Sequence, residues 1–253
     1  MKTRLACQLY SVHDSIDNDA FSAVREAAKL GFEGLEFYGT GLWDLSFVKA
    51  ALRDTGLEIA GWHVPVDRLK GEELEKTLDF HSEIGNRAIV VPWLPVEMRD
   101  TADAWKRTAE LFNQLHGRLS ERGMSLGYHN HDFEFKPLDE SGACGWDIFS
   151  ENTHPGIVLQ LDNGNCMAGG ADPVQVMKKH PGRGRTLHLK PYSHAAGYDC
   201  LVGQDDLPWA AFFEEAGRQG ATEWYIAEYE SKALASDLMG LKIMREAFRE
   251  YGL

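Results

Sequence analysis

Five times in this chain a long amphipathic stretch stops at a glycine and a short apolar run begins at once. The junctions are Leu30-Gly31-Phe32, Thr55-Gly56-Leu57, Ile84-Gly85-Asn86, Arg122-Gly123-Met124 and Gln219-Gly220-Ala221. Glycine supplies the left-handed residue that ends a helix. The runs that follow are nearly continuous in apolar residues, as strands of a parallel sheet covered on both faces should be. A repeated helix-to-strand handover leaves few architectures open, all of them parallel sheets wrapped by helices.

Eight such runs read as strands: LACQLYSV (5–12), EGLEFYG (33–39), EIAGWHVP (58–65), RAIVVPWL (87–94), MSLGYHNH (124–131), GIVLQLDNGN (156–165), RTLHLKPY (185–192) and EWYIAEYE (223–230). Helices are expected over 19–30, 44–55, 71–84, 101–122, 145–152, 173–180, 208–219 and 236–250. Eight strands alternating with eight helices in 253 residues predict a single (β/α)8 TIM barrel over residues 1–253. No linker, low-complexity tract or charge block divides the chain. An open doubly wound sheet is the alternative. Its phosphate-binding turn is missing, because the first strand runs into SVHDSIDND rather than a glycine-rich loop.

Charge narrows the partners. A formal net charge of −13 argues against nucleic acid and anionic membrane, which reward a basic face. No run approaches the ~18 apolar residues of a membrane span, and MKTRLACQLYSV lacks the apolar core of a secretory leader. The expectation is a soluble, cytoplasmic protein. Cys7, Cys144, Cys166 and Cys200 form no CxxC pair, which fits reduced thiols better than a disulfide framework or zinc ribbon. Trp43 and Trp105 are open to a contact in a homo-oligomer or to a place in the core.

In a TIM barrel the chemistry collects where the strands end. Those ends carry Gln8 and Tyr10, Glu36, His63, Trp93, then His129, His131 and Glu134, then Asp162 and Asn163, His188 and Lys190, and Glu228 and Glu230. Residues two apart on a strand share a face, so His129 pairs with His131, His188 with Lys190, and Glu228 with Glu230. Each alone has a plain structural reading. A strand-end His can be a bonded core residue, Asp162 in DNGN can start a turn, and Glu228 can pair with Lys190 or Arg4. Together, on four consecutive strands, the acids repel one another unless a cation joins them. A mixed nitrogen and oxygen set suits Mn2+, Co2+ or Zn2+ better than Mg2+. His81, His116, His154 and His180 fall on helices or outer loops and are expected to face solvent. His13 and His194 lie in loops after strands, within reach of a substrate.

QLYSV, GFEGLEFYG, GYHNHDFEF, LQLDNGN, LHLKPY and AEYE, in that order along nearly the whole chain, resemble the sugar phosphate isomerase/epimerase family. That family belongs to the xylose-isomerase-like TIM-barrel superfamily, with inosose dehydratases and endonuclease IV. The resemblance implies a divalent ion held by Asp162, His188, Glu228 and a ligand from the fifth strand. Where many members carry Glu-Asn-His, this chain has His129-Asn130-His131, so that ligand is His129 or, reaching back from the next turn, Glu134.

The implied chemistry is enolisation of a keto sugar. The metal polarises the carbonyl, Glu228 takes the proton of the neighbouring carbon, and His131, His129, Glu134 or Lys190 returns one. Lys190 can also stabilise an enediolate. Gln8, Glu36, His63, Trp93 and Gln204 are expected to bind substrate. Isomerase or epimerase is the leading activity. A lyase of the inosose dehydratase or 3-keto-glycoside eliminase type, and a non-catalytic sugar-binding barrel, are the alternatives. Gly197, Gly203 and Lys232 stand near the last loops but build no phosphate nest, so the sugar is expected to be unphosphorylated. An endonuclease would need a basic face that this chain lacks.

Overall fold

The computed structural model describes residues 3–253 except Ser141 and Lys232, so Lys232 lies outside the described residues. Eight parallel strands close into a barrel in chain order: β1 (Arg4–Gln8), β2 (Gly34–Tyr38), β3 (Glu58–His63), β4 (Ala88–Val91), β5 (Ser125–His129), β6 (Val158–Asp162), β7 (Thr186–Leu189) and β8 (Trp224–Ala227). Arg4–Cys7 of β1 pair with Trp224–Ala227 of β8 and shut the ring. No helix among the described residues is long and apolar enough to cross a membrane.

The helices are α1 (His13–Leu30), α2 (Leu45–Thr55), α3 (Gly71–Ile84), α4 (Ala102–Glu121), α5 (Gly145–Asn152), α6 (Asn163–Ala168), α7 (Pro173–Lys179), α8 (Trp209–Gln219) and α9 (Asp237–Phe248). All five junction glycines have positive φ, from 66° to 90°. That region is strained for any residue with a Cβ and free for glycine. The starts of α2 and α7 are fixed by side chains: Asp44 accepts from the Ser46 and Phe47 amides, and Asp172 from those of Val174 and Gln175.

Alternate residues of each strand face the helices. Leu35, Phe37, Ile89, Val91, Leu126, Tyr128, Leu159, Leu161, Leu187 and Leu189 sit in one continuous core between barrel and helix ring. Burying an aliphatic side chain of this size contributes about 1.5–3 kcal/mol each. A second, small cluster of Ala6, Ala60, Trp224 and Ile226 fills the lower interior of the barrel.

Three readings of the sequence change, and one choice left open is settled. The segment after β1 is already helical from His13, and the helix expected from residue 19 is its second half. Asp19 breaks the spiral (φ −157°, ψ 92°) and restarts it by accepting from the Phe21 and Ser22 amides. The sixth strand stops at Asp162, because that carboxylate caps the Asn165 amide at 2.7 Å and opens α6. Trp43 and Trp105 are both core residues. Among the four histidines expected in solvent, only His154 is exposed. His81 is 1% exposed, because its position on α3 faces Trp62 and Phe80. His180 lies against Asp147 at 3.2 Å, and His116 stacks on His154 at 4.5 Å between ring centroids.

Candidate metal centre and its cleft

The mouth of the barrel, where the strands end, holds a cleft of about 410 Å³. Its wall includes Gln8, Tyr10, Tyr38, His63, Trp93, His129, His131, Glu228 and Glu230. The size suits a small ligand. Trp93 is 47% exposed at the rim, with the Arg99 guanidinium 5.5 Å from its ring.

At the floor, β5, β6 and β7 and the residue after β8 each send in one polar side chain. Ligand atoms of His129, Asp162, His188 and Glu228 lie within 4.8 Å of one another, and all four residues are buried. His188 Nδ1 is 2.5 Å from Glu228 Oε2. His129 Nε2 and His188 Nδ1 stand 4.0 and 3.9 Å from Asp162 Oδ2. That oxygen is buried and has no hydrogen-bond partner among the described residues, while Oδ1 caps α6. A buried carboxylate oxygen left bare costs free energy unless something positive meets it. Two imidazole nitrogens and two carboxylates facing one point fit a divalent ion such as Mn2+, Co2+ or Zn2+.

The protonation of the cluster follows from its neighbours. Burial, with Glu228 beside it, pushes the Asp162 carboxyl up to about 7 against the pull of Lys190. Burial disfavours the charge of Glu228 too, yet Lys190 and His188 hold that carboxyl well below the usual range. His188 resists the cost of burial because Glu36 and Glu228 flank it, and it rises to about 10. His129 is driven the other way, well below 6.5, by burial and by the neighbouring His188 and His63. His131 falls to about 4 through burial and the nearby Lys190, so it stands neutral with its Nδ1 unpartnered. Lys190 Nζ lies 3.4 Å from Glu228 Oε1 and 2.9 Å from Glu230 Oε2.

Three residues expected at the site are placed differently. Glu134 follows β5 in a short turn (Phe133–Phe135), where its Oε1 accepts from the Tyr128 hydroxyl and its Oε2 from the His131 amide at 2.8 Å. Tyr128 packs among Trp105, Phe112 and Phe149 outside the barrel wall, so the carboxyl is turned from the cluster, and burial lifts it to about 7. Gln204 is exposed and does not line the cleft, since the loop folds back through Asp206, whose amide bonds Tyr192 O and whose carboxylate takes the His194 amide. Glu36 is fully buried beneath the cluster rather than on the cleft wall. Gln160 and Thr186, which bond each other at 2.9 Å below the cluster, were not foreseen. The one signal for Gln160 was parity, as it lies two residues before Asp162 on the same strand.

A family model described as xylose isomerase-like TIM barrel matches residues 24–250. The chain belongs to the xylose isomerase-like TIM barrel family. Within that family, its similarity to inosose dehydratase of Clostridium perfringens is 29% identity over 193 residues, covering 69% of this chain and 64% of that protein. The chain thus spans less than two thirds of that curated relative. Inosose dehydratase of Geobacillus thermodenitrificans is 26% identical over 247 residues, covering 82% of this chain and 80% of the other. A crystal structure of a sugar phosphate isomerase/epimerase from Parabacteroides distasonis superposes with a TM-score of 0.84 at 21% identity, over 98% of each chain. That likeness is one of fold. The relatives are enzymes of this family, and the barrel is the one the sequence predicts.

Proposed function

We propose that the protein is a divalent-metal-dependent isomerase or epimerase of a small, unphosphorylated keto sugar or related polyol ketone, acting through an enediolate. The observation that carries this reading is the convergence of His129, Asp162, His188 and Glu228 on one buried point, with Asp162 Oδ2 bare, at the floor of a sugar-sized cleft. When bound there, a divalent ion supplies Lewis-acid polarisation of a substrate carbonyl.

The chain's own residues supply the proton transfers. Glu228 stands at the junction of cluster and cleft, ionised, with one oxygen toward His188 and the other toward Lys190. It takes the proton from the carbon next to the carbonyl, and the electron pair moves onto the carbonyl oxygen. Lys190, held charged by Glu228 and Glu230 despite burial, offsets the charge that develops. His131, neutral and on the cleft wall, relays a proton to the opposite face or the adjacent carbon. Tyr10, Tyr38 and Trp93 offer ring faces to the C–H side of a sugar. Among the described residues no Arg or Lys lies on the cleft wall itself, and Lys190 behind it is already paired with Glu228 and Glu230, which supports an uncharged rather than a phosphorylated ligand.

A lyase is the second reading, and the identity of residue 129 favours it. With His129 rather than a carboxylate on β5, the substrate's two sides meet unlike groups, a carboxylate at Glu228 and the imidazole of His131. Elimination needs that asymmetry, a base at one carbon and an acid at the leaving hydroxyl. The inosose dehydratases among the relatives agree with it.

Incubation of keto sugars and inososes with the protein and Mn2+, Co2+ or Zn2+ in D2O tests both. Deuterium entering the carbon next to the carbonyl, without loss of mass, is the expected result. Exchange accompanied by loss of water identifies the lyase. No exchange with any of these substrates and metals leaves a sugar-binding barrel without catalysis.

A further inference from the structure

Glu36 is a fully enclosed carboxylate beside the cluster, and its hydrogen bonds bear on where the protons of the neighbouring imidazoles sit. It is 0% exposed. Its Oε2 receives Gln8 Nε2 at 2.7 Å, His188 Nε2 at 2.6 Å and His63 Nε2 at 3.0 Å, and its Oε1 receives Gln160 Nε2 at 2.7 Å. The space is kept for it. A Cβ on Gly61 would stand 2.7 Å from Glu36 Oε1. The pairing of β2 with β3 shifts at Leu35/Glu36, so that Gly61 rather than Ala60 lies opposite the carboxylate.

The ionised Glu36 carboxylate can only accept, so each nitrogen at hydrogen-bond distance from it carries hydrogen. His188 Nε2 is therefore protonated toward Glu36; by the same rule Nδ1, 2.5 Å from Glu228 Oε2, also carries a hydrogen while no metal is bound, and it is the hydrogen a bound ion would displace. Gln160 must turn its amide NH2 to Glu36, which fixes its carbonyl toward His63 Nε2 at 2.8 Å and His129 Nδ1 at 3.1 Å. His129 Nδ1 then carries the hydrogen and its Nε2 is the lone pair facing Asp162. One buried acid holds the Nε2 hydrogen of the first imidazole of the cluster directly and sets the tautomer of the second through an amide relay.

We propose that Glu36, with Gln160 as its relay, is a positioning residue that presents His188 Nδ1 and His129 Nε2 to the metal, and does not touch substrate. The proposal rests on the metal reading above. Partners of this kind fix the tautomer and orientation of ligating imidazoles, and their loss costs about 10- to 100-fold in metal affinity.

Two measurements test it. In wild-type protein without metal, 15N spectra of labelled histidines should show His129 neutral and protonated at Nδ1; protonation at Nε2 would overturn the relay. Competition with a chelating dye should show Zn2+ binding weakened about 10- to 100-fold in Glu36→Gln with cooperative unfolding retained. A dissociation constant within twofold of wild type overturns the positioning role while leaving the metal site standing. If wild type itself takes up no Zn2+, the functional reading fails, and the His129 spectrum alone decides the relay. The same spectrum decides it if Glu36→Gln does not fold.

Discussion

The two ends of this barrel are built from the same eight strands and differ in almost everything else. At the lower end the interior is apolar: Ala6, Ala60, Trp224 and Ile226 pack together, and Gly34 has no Cβ because one would lie 2.7 Å from the Trp224 ring. Charges there are at the rim, where Arg4 pairs with Glu58 at 2.6 Å and Arg185 with Glu223 at 2.8 Å. At the mouth the order is inverted. Carboxylates and imidazoles are buried, while Tyr10, Leu42, Trp93, Val96, Leu234 and Met239 are exposed on the segments that follow the strands. Folding alone favours the first arrangement, since a buried charge costs several kcal/mol and an exposed aromatic gains nothing. The mouth is where stability has been given up, which is what the ligand site proposed above would require.

The sharpest way to break this comparison is at Asp162. Asp162→Asn keeps an oxygen to cap α6 but removes the charge from the bare side of the cluster. Metal-assisted chemistry contributes several kcal/mol, so exchange activity should fall about a thousandfold while thermal unfolding stays cooperative. Rates of deuterium exchange and the unfolding curve of the same sample decide it. If a tenth of the rate survives, the mouth does not work through this cluster.

The lower end should respond in the opposite sense. Trp224 is 4% exposed and lies beneath the Arg4 guanidinium at 3.8 Å. Trp224→Ala should remove about 3–5 kcal/mol of stability, as a large cavity does. The variant, where folded, should bind Zn2+ within about threefold of wild type. A comparable loss of metal affinity would mean that the two ends are coupled and that the division drawn above is false.

How much of this could be read beforehand depends on whether the deciding contact is local. The strands were legible because β1 to β8 are buried on both faces, and the helix ends because Gly31, Gly56, Gly85, Gly123 and Gly220 occupy positive φ. Strand parity brought out the acids and imidazoles now found at the cluster. Glu134 misled because sequence shows nearness in the chain, whereas Tyr128, on the outer face of the same strand, captures its carboxyl. The position of Glu36 was hidden for a different reason. Only closure of the ring brings β2 within reach of β6 and β7, 124 and 152 residues away. Gln160 was passed over as a neutral residue within an apolar strand, although its amide is the piece that links them.

His81 separates burial from a charged setting, since it is as buried as His129 but among the described residues has no carboxylate paired with it. Its ring lies against Trp62 and Phe80, and Asn86 Nδ2 donates to its Nδ1 at 3.1 Å. Burial alone drives it to about 4, in contrast to His188 among its acids at about 10. The folded chain keeps His81 neutral down to about pH 4, whereas an unfolded chain takes the proton near pH 6.5. Between those values the unfolded state binds more protons, so this contribution is whole above pH 6.5 and is lost as pH falls, by about 1.4 kcal/mol per unit and about 3 kcal/mol in full. The test is the cost of His81→Phe from urea midpoints at two pH values. Because the variant cannot take the proton, its cost relative to wild type should be about 2 kcal/mol smaller at pH 5 than at pH 7.5. An equal cost at both would mean that the imidazole is hydrated in the folded state. Burial without a charged partner would then no longer mark the difference between the helix layer and the mouth.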